Sequence, residues 1–202
     1  GVALCSTVPA VLREMRTMLE RYYAHVPHVI VEPGAKTGVP VLMDNPKEVG
    51  ADRIANTLAA HALYGGPCIV VDFGTATTFD VVDFDGAYVG GVIAPGVNLS
   101  LEALHMAAAA LPHIDVARPA RAIGTNTVAC MQSGVYWGYI GLVEGIVRQV
   151  RLEREASMKV IATGGLATLF AQGFDLFDAV EDDLTMHGLV LISRYNKELE
   201  TV

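Results

Sequence analysis

Ile69-Val70-Val71-Asp72-Phe73-Gly74-Thr75-Ala76-Thr77-Thr78-Phe79-Asp80 is the stretch that decides how the rest of the chain is read. Its opening run is β-branched and uninterrupted, as a strand covered on both faces should be. From Thr77 to Asp83 the pattern alternates and then meets Asp85-Gly86, a strong two-residue hairpin signal. A third extended run, Tyr88 to Ile93, completes a meander. The first turn gathers one carboxylate (Asp72), Gly74 and the threonines Thr75, Thr77 and Thr78. Gly74 lets the backbone come close to a ligand, and turn N–H groups with threonine hydroxyls can cradle phosphate oxygens. An ordinary Asx turn carries the same residues, so the turn alone assigns nothing.

Upstream of the meander, Val2 to Cys5 reads as a short strand. Ser6 or Thr7 is positioned to cap a helix with Pro9 in its first turn. Val26 to Glu32 is a second strand, ended by Pro33-Gly34. A loop from Lys36 to Lys47 holds a short extended piece, Val39 to Met43. Gly50-Ala51-Asp52-Arg53 opens a helix with Ile54, Leu58 and Ala62 on one face, and Gly65-Gly66-Pro67 closes it. That stop places the domain boundary, giving 1–65 and 66–202.

Downstream, Pro95-Gly96 ends the third strand, and Asn98 or Ser100 caps a helix carrying Leu101, Leu104, Ala108 and Leu111. From about Thr125 to Arg151 runs a long helical pattern with Gly134, Gly138, Gly141 and Gly145 at helix-face spacing. Each glycine costs roughly 1 kcal/mol against alanine. The compensation is close approach of another backbone, either within the chain or across a homodimer. Met158 to Ala162 is a strand entering Thr163-Gly164-Gly165, which opens a helix of Leu166, Phe170 and neighbours. Asp182-Asp183 caps a last one.

The 202 residues can bury a real core, and hydrophobic residues make up 52% of them. No apolar run approaches membrane-spanning length. A formal charge of −8 argues against nucleic-acid backbone as the main partner, though not against a nucleotide met by local N–H groups. Cys5, Cys68 and Cys130 are scattered, as expected of reduced thiols in the cytoplasm. The chain opens at Gly1 on what reads as mid-domain sequence, so a preceding segment is expected.

Three loops stand out together: Asp72-x-Gly-Thr, Gly-Ala-Asp52-Arg53 and Thr163-Gly-Gly. In order and local structure they resemble the sugar kinase/heat-shock ATPase/actin superfamily, and more closely type III pantothenate kinases. The matching stretches are Asn45-Pro-Lys-Glu-Val-Gly-Ala-Asp-Arg-Ile-Ala-Asn56, Asp72 to Asp80, Gly90-Gly-Val-Ile-Ala-Pro-Gly96, Ile123-Gly-Thr-Asn-Thr127, Met131-Gln-Ser-Gly134 and Ala162-Thr-Gly-Gly165. They span nearly the whole chain in the right order.

The resemblance implies an α/β fold of two ribonuclease H-like (actin-like ATPase) domains, mixed sheets flanked by helices, the first domain incomplete at its N-terminus. It implies ATP-dependent phosphorylation of pantothenate, the first step of coenzyme A biosynthesis. In that reading Asp52 is the catalytic base, and Gly50, Ala51, Asp52, Arg53 and Thr127 hold the substrate. Gly74 and Thr75 meet ATP phosphates, Gly164 and Gly165 lie on the adenosine side, and Asp72 holds a monovalent cation, K+ or NH4+. Magnesium accompanies ATP, and the chain forms a homodimer.

The residue chemistry is compatible with each role. A carboxylate can take the proton of a primary alcohol, and a guanidinium suits a substrate carboxylate. The plain alternatives are a helix cap for Asp52 and Thr127, and a surface ion pair for Arg53. Two departures stand against the family pattern. The family's Asp-x-Gly-Asn-Thr phosphate loop does not occur in these residues, and Met43 occupies the place of a substrate-contacting tyrosine. The rival readings are therefore a non-catalytic accessory relative, or a kinase for another hydroxy acid.

Overall fold

A computed structural model describes residues 1–32, 35–108 and 111–200. The expected Pro33-Gly34 strand stop lies outside them. The strands fall into two sheets: β1 (Val2–Cys5) pairs with β2 (His28–Val31), and a five-stranded sheet has the order β5-β4-β3-β6-β7. Its members are β3 (Cys68–Phe73), β4 (Ala76–Val82), β5 (Tyr88–Pro95), β6 (Lys159–Thr163) and β7 (Ala179–Val180). The meander expected from the central stretch is thus β3 to β5. β3 is buried except at Asp72, as its unbroken apolar run requires. β7 is two residues long, too short to leave a pattern in the sequence.

The chain packs as two compact units. One comprises residues 1–68, 80–90 and 183 onward; the other comprises 69–79 and 91–182. A single cut after residue 65 therefore does not describe this packing, because two later segments return to the first unit.

In the first unit β1 and β2 run parallel, Val2 opposite His28 and Cys5 opposite Val31. Helix α1 (Pro9–Tyr22) joins them. Its N-cap is Val8, with no side-chain cap, because the Ser6 hydroxyl accepts the Val8 N–H at 3.2 Å and turns the chain locally instead. Helix α2 (Ala51–Tyr64) and the C-terminal helix, called α6 here (Leu184–Glu200), close the core with Val31, Ala55, Leu189 and Ile192. Asn56 is fully buried and its Oδ1 accepts from the Thr185 hydroxyl at 2.7 Å. The loop residue Val41 bridges Tyr88, and Val39, Val41 and Met43 pack on a second cluster of Val49, Ile54 and Tyr88. Met43 is therefore a packing residue of this cluster.

The second unit holds α3 (Val97–Ala107), α4 (Thr127–Arg154) and α5 (Ala167–Ala171). Neither Asn98 nor Ser100 caps α3; Gly96 is its N-cap. Ser100 is spent elsewhere: Tyr139 donates to the Pro95 carbonyl at 2.8 Å, so Ser100 donates to the Tyr139 oxygen at 2.6 Å. α3 stops at Ala107, short of the expected Leu111, and residues 109–110 lie outside the described ones. Asn126 caps α4, its Oδ1 accepting the Ala129 N–H at 2.9 Å, which leaves Thr127 as the first helical residue. Stacked rings of Phe73, Phe170 and Tyr136, with centroids 5.0 and 5.4 Å apart, fix the sheet against α4 and α5.

A Cβ built on any of Gly134, Gly138, Gly141 or Gly145 would meet nothing within 4 Å. Close intrachain packing does not explain the stripe. Gly134 and Gly138 line an apolar groove of about 620 Å³ with Pro95, Leu104, Val135 and Tyr139, while Gly141 and Gly145 line a separate groove of about 530 Å³ with Val147 and Leu152. Among the described residues, no helix is long and apolar enough to cross a membrane.

Candidate active site

In the first unit the site residues sit at the start of α2. The 3-10 turn Pro46–Glu48 is closed by Asn45, whose Oδ1 accepts the Lys47 N–H while its Nδ2 donates to Glu48 at 2.7 Å. This fixes the chain entering Gly50, the N-cap of α2. Asp52 is the second helical residue and not the cap. Its Oδ1 accepts the Arg53 N–H at 2.8 Å, folding the carboxylate back over the first turn. A Cβ on Gly50 would stand 2.6 Å from that oxygen, so only glycine leaves the carboxylate its place. The N-terminal end of the helix also favours the charge. The end of β1 packs here, Cys5 lying against the cluster that includes Ala51, and burial first and then the Asp52 charge push its thiol pKa upward.

Arg53 is engaged by a different set of partners. Its Nε donates to Asp80 Oδ1 at 2.6 Å, and its guanidinium lies 5.6 Å from the ring centre of Tyr88. The Arg53 side chain is 15% exposed and that of Asp80 0%. This is a buried ion pair and not the surface salt bridge of the plain alternative. The Tyr88 hydroxyl is pushed well above its ordinary pKa, by burial first and by Asp80 second.

In the second unit the Asp72 turn, the Gly164 turn and the start of α3 come together. Gly74 N–H donates to the Ala76 carbonyl at 3.1 Å, closing the tight turn. Gly164 has φ +89°, and a Cβ there would be 2.5 Å from Asp72 Oδ1 and 2.7 Å from the Phe73 nitrogen. Glycine at 164 is thus what lets the two turns touch. Gly96 does the same from α3, where a Cβ would be 2.1 Å from the Thr75 carbonyl oxygen.

A cavity of about 500 Å³ is lined by Phe73, Gly74, Thr75, Asn98, Leu99, Glu102, Gly165 and Leu166. Gly164 is not among its lining residues; Gly74, Thr75 and Gly165 lie on it together with Asn98 and Glu102. Those two carry no local signal, since on the sequence they are ordinary residues of a helix start. Thr127 is exposed at the start of α4, and the described lining of this cavity does not include it.

Asp72 is half-buried at the end of β3. Among the described residues, no three His, Cys, Asp or Glu side chains gather as a metal cluster. One carboxylate beside turn carbonyls is an all-oxygen donor set, which fits a hard, weakly held cation and not a thiolate or imidazole metal.

The sequence profile described as type III pantothenate kinase matches residues 1–149. A type III pantothenate kinase from Cereibacter sphaeroides is 71% identical over 197 residues, covering 98% of this chain and 77% of the relative. One from Paracoccus denitrificans is 64% identical over 196 residues, covering 97% and 76%. Among solved structures, one described as a Baf family transcriptional activator from Campylobacter jejuni superposes with a TM-score of 0.62 at 22% identity, covering 92% of this chain and 79% of that one. That last likeness is one of fold alone.

Proposed function

Since the chain belongs to the type III pantothenate kinase family, we infer that it catalyses ATP-dependent phosphorylation of pantothenate to 4′-phosphopantothenate, and that the start of α2 is its substrate end. The fold is that of the actin and sugar-kinase ATPases. We read its two units as a ribonuclease H-like pair.

The observation that carries the residue assignment is the different engagement of two neighbouring side chains. Asp52 lies free of the ion pair at the mouth of a helix, while Arg53 is anchored by a buried carboxylate. Asp52 accepts the proton as the primary hydroxyl of pantothenate attacks the γ-phosphorus of ATP and ADP departs. Arg53 orients the pantothenate carboxylate, with Gly50 and Ala51 shaping the approach and Thr127 supplying a hydroxyl. Gly74 and Thr75 donate to phosphate oxygens from the tight turn, and Gly164 and Gly165 leave room for the nucleoside. Asp72 and neighbouring carbonyls would hold K+ or NH4+, which supplies positive charge beside the phosphates. Magnesium enters with ATP. The glycine face of α4, open along its length, is the surface we assign to the homodimer.

The test is phosphopantothenate formation with magnesium-ATP in potassium and in sodium buffer. Turnover in potassium, lower by roughly tenfold or more in sodium, is expected. No product in either buffer overturns the reading. A second expectation concerns the phosphate turn. Gly96→Ala pushes the Thr75 carbonyl aside, so kcat/KM for ATP should fall by roughly tenfold. The KM for pantothenate serves as the control. Unchanged ATP kinetics in that variant would remove Thr75 from the phosphate site.

A further inference from the structure

We propose that Asp80 is a positioning residue of this kinase, acting through Arg53 to hold the guanidinium where a substrate carboxylate is read. The proposal rests on the pantothenate kinase reading and names what gives the Arg53 contact its selectivity. Asp80 stands on β4, eight residues beyond Asp72 in the same strand–turn–strand unit. Its carboxylate is fully buried and reaches Arg53 Nε at 2.6 Å. The Tyr88 ring on β5 forms the floor under the guanidinium.

Three facts separate this from a mere structural tie. With Nε committed to Asp80, the donors left for an incoming acceptor are the terminal nitrogens. Nη2 is buried and has no hydrogen-bond partner among the described residues. Nη2 therefore lies out of reach, and the donor left for an incoming carboxylate is Nη1. A buried ion pair is also weak as a stabilising device, since apolar replacements of similar volume are often neutral or better. A long, flexible side chain gripped at one edge by a carboxylate and on one face by a ring has lost its rotamer freedom before substrate arrives. Pre-organisation of this kind favours binding of one geometry.

The experiment compares phosphorylation of pantothenate with that of its alcohol analogue, in which a hydroxymethyl group replaces the carboxylate. The two KM values are measured for wild type, Asp80→Asn, Arg53→Gln and the double variant Arg53→Gln/Asp80→Asn. In Asp80→Asn the preference for pantothenate over the alcohol should fall by about tenfold, through KM for pantothenate, with kcat for the alcohol near wild type. On the Arg53→Gln background, Asp80→Asn should change the preference no further. Should Asp80→Asn fail to fold because Arg53 is left as an uncompensated buried charge, the double variant removes both charges. It is then compared with Arg53→Gln alone.

A wild-type preference retained in Asp80→Asn, with only its melting temperature lowered, overturns the proposal and leaves the kinase assignment standing. So does a further loss of preference in the double variant. A wild-type protein that phosphorylates neither compound overturns the functional reading, and this proposal with it.

Discussion

Asp52→Asn is expected to lower kcat for phosphopantothenate formation by roughly 10²- to 10⁴-fold while the protein stays folded. Asparagine keeps the shape of the side chain and can still accept the Arg53 N–H through Oδ1, so the first turn of α2 is preserved. What disappears is basicity at the carboxylate that folds over the helix start, outside the Arg53–Asp80 pair. The favourable charge at the helix terminus goes too, at a cost of only about 0.3–1 kcal/mol. The melting temperature should therefore move by a few degrees at most.

An independent readout comes from Cys5. Burial is the larger cause of its raised pKa and the Asp52 charge the smaller, so Asp52→Asn brings the thiol part of the way back down. At a given pH more of it is thiolate, and a small alkylating reagent modifies it faster. Activity close to wild type in this variant would remove Asp52 as the base. An unchanged alkylation rate would remove the contact between β1 and the helix start.

Gly188→Ala carries the largest expected effect on stability. In α6 a Cβ at this position would stand 2.0 Å from the Ala55 carbonyl oxygen and 2.5 Å from its carbon. Both are main-chain atoms inside α2, and neither can rotate away. The helices must separate, which loosens Ala55, Leu189 and Ile192 in the core and stretches the Thr185–Asn56 hydrogen bond. Overpacking against backbone costs about 3 kcal/mol, or roughly 6–12 °C in melting temperature for a chain of this size. The comparison is Gly134→Ala, where the added methyl meets no other part of the same chain within 4 Å, so any loss of stability there comes from the homodimer face and varies with protein concentration. Thermal unfolding followed by far-UV circular dichroism compares the two. Equal melting temperatures for Gly188→Ala and wild type would show that α2 and α6 do not meet this closely.

The same contrast explains what a reading of the chain misses. Gly188 and Gly134 look alike in sequence, each a glycine on an apolar helix face. Only the path of a helix more than a hundred residues away distinguishes them. The return of α6 to the first unit was illegible for a related reason. Its amphipathic pattern records that one face is buried but carries no address for the partner, so a cut after residue 65 assigned it to the wrong neighbours. Capping failed at α1 and α3 because Ser6 and Ser100 had other partners within reach, Val8 N–H and Tyr139.

By itself the sequence determined the meander, the glycine turns and the order of the loops on which the family membership rests. These are local matters: alternation, β-branching and φ-permissive residues act within a few positions of one another. The glycine at 50 that makes room for Asp52 belongs with them, since both residues lie in one helical turn. The tertiary structure alone decided that Arg53 is buried against Asp80 and Tyr88, that Gly96 and Gly164 press on the Asp72–Thr75 turn, and that Asn98 and Glu102 line its cavity. Those contacts join residues that a chain pattern cannot relate. Their energy comes from desolvation and close packing between separate elements, and it exists only once the elements have met.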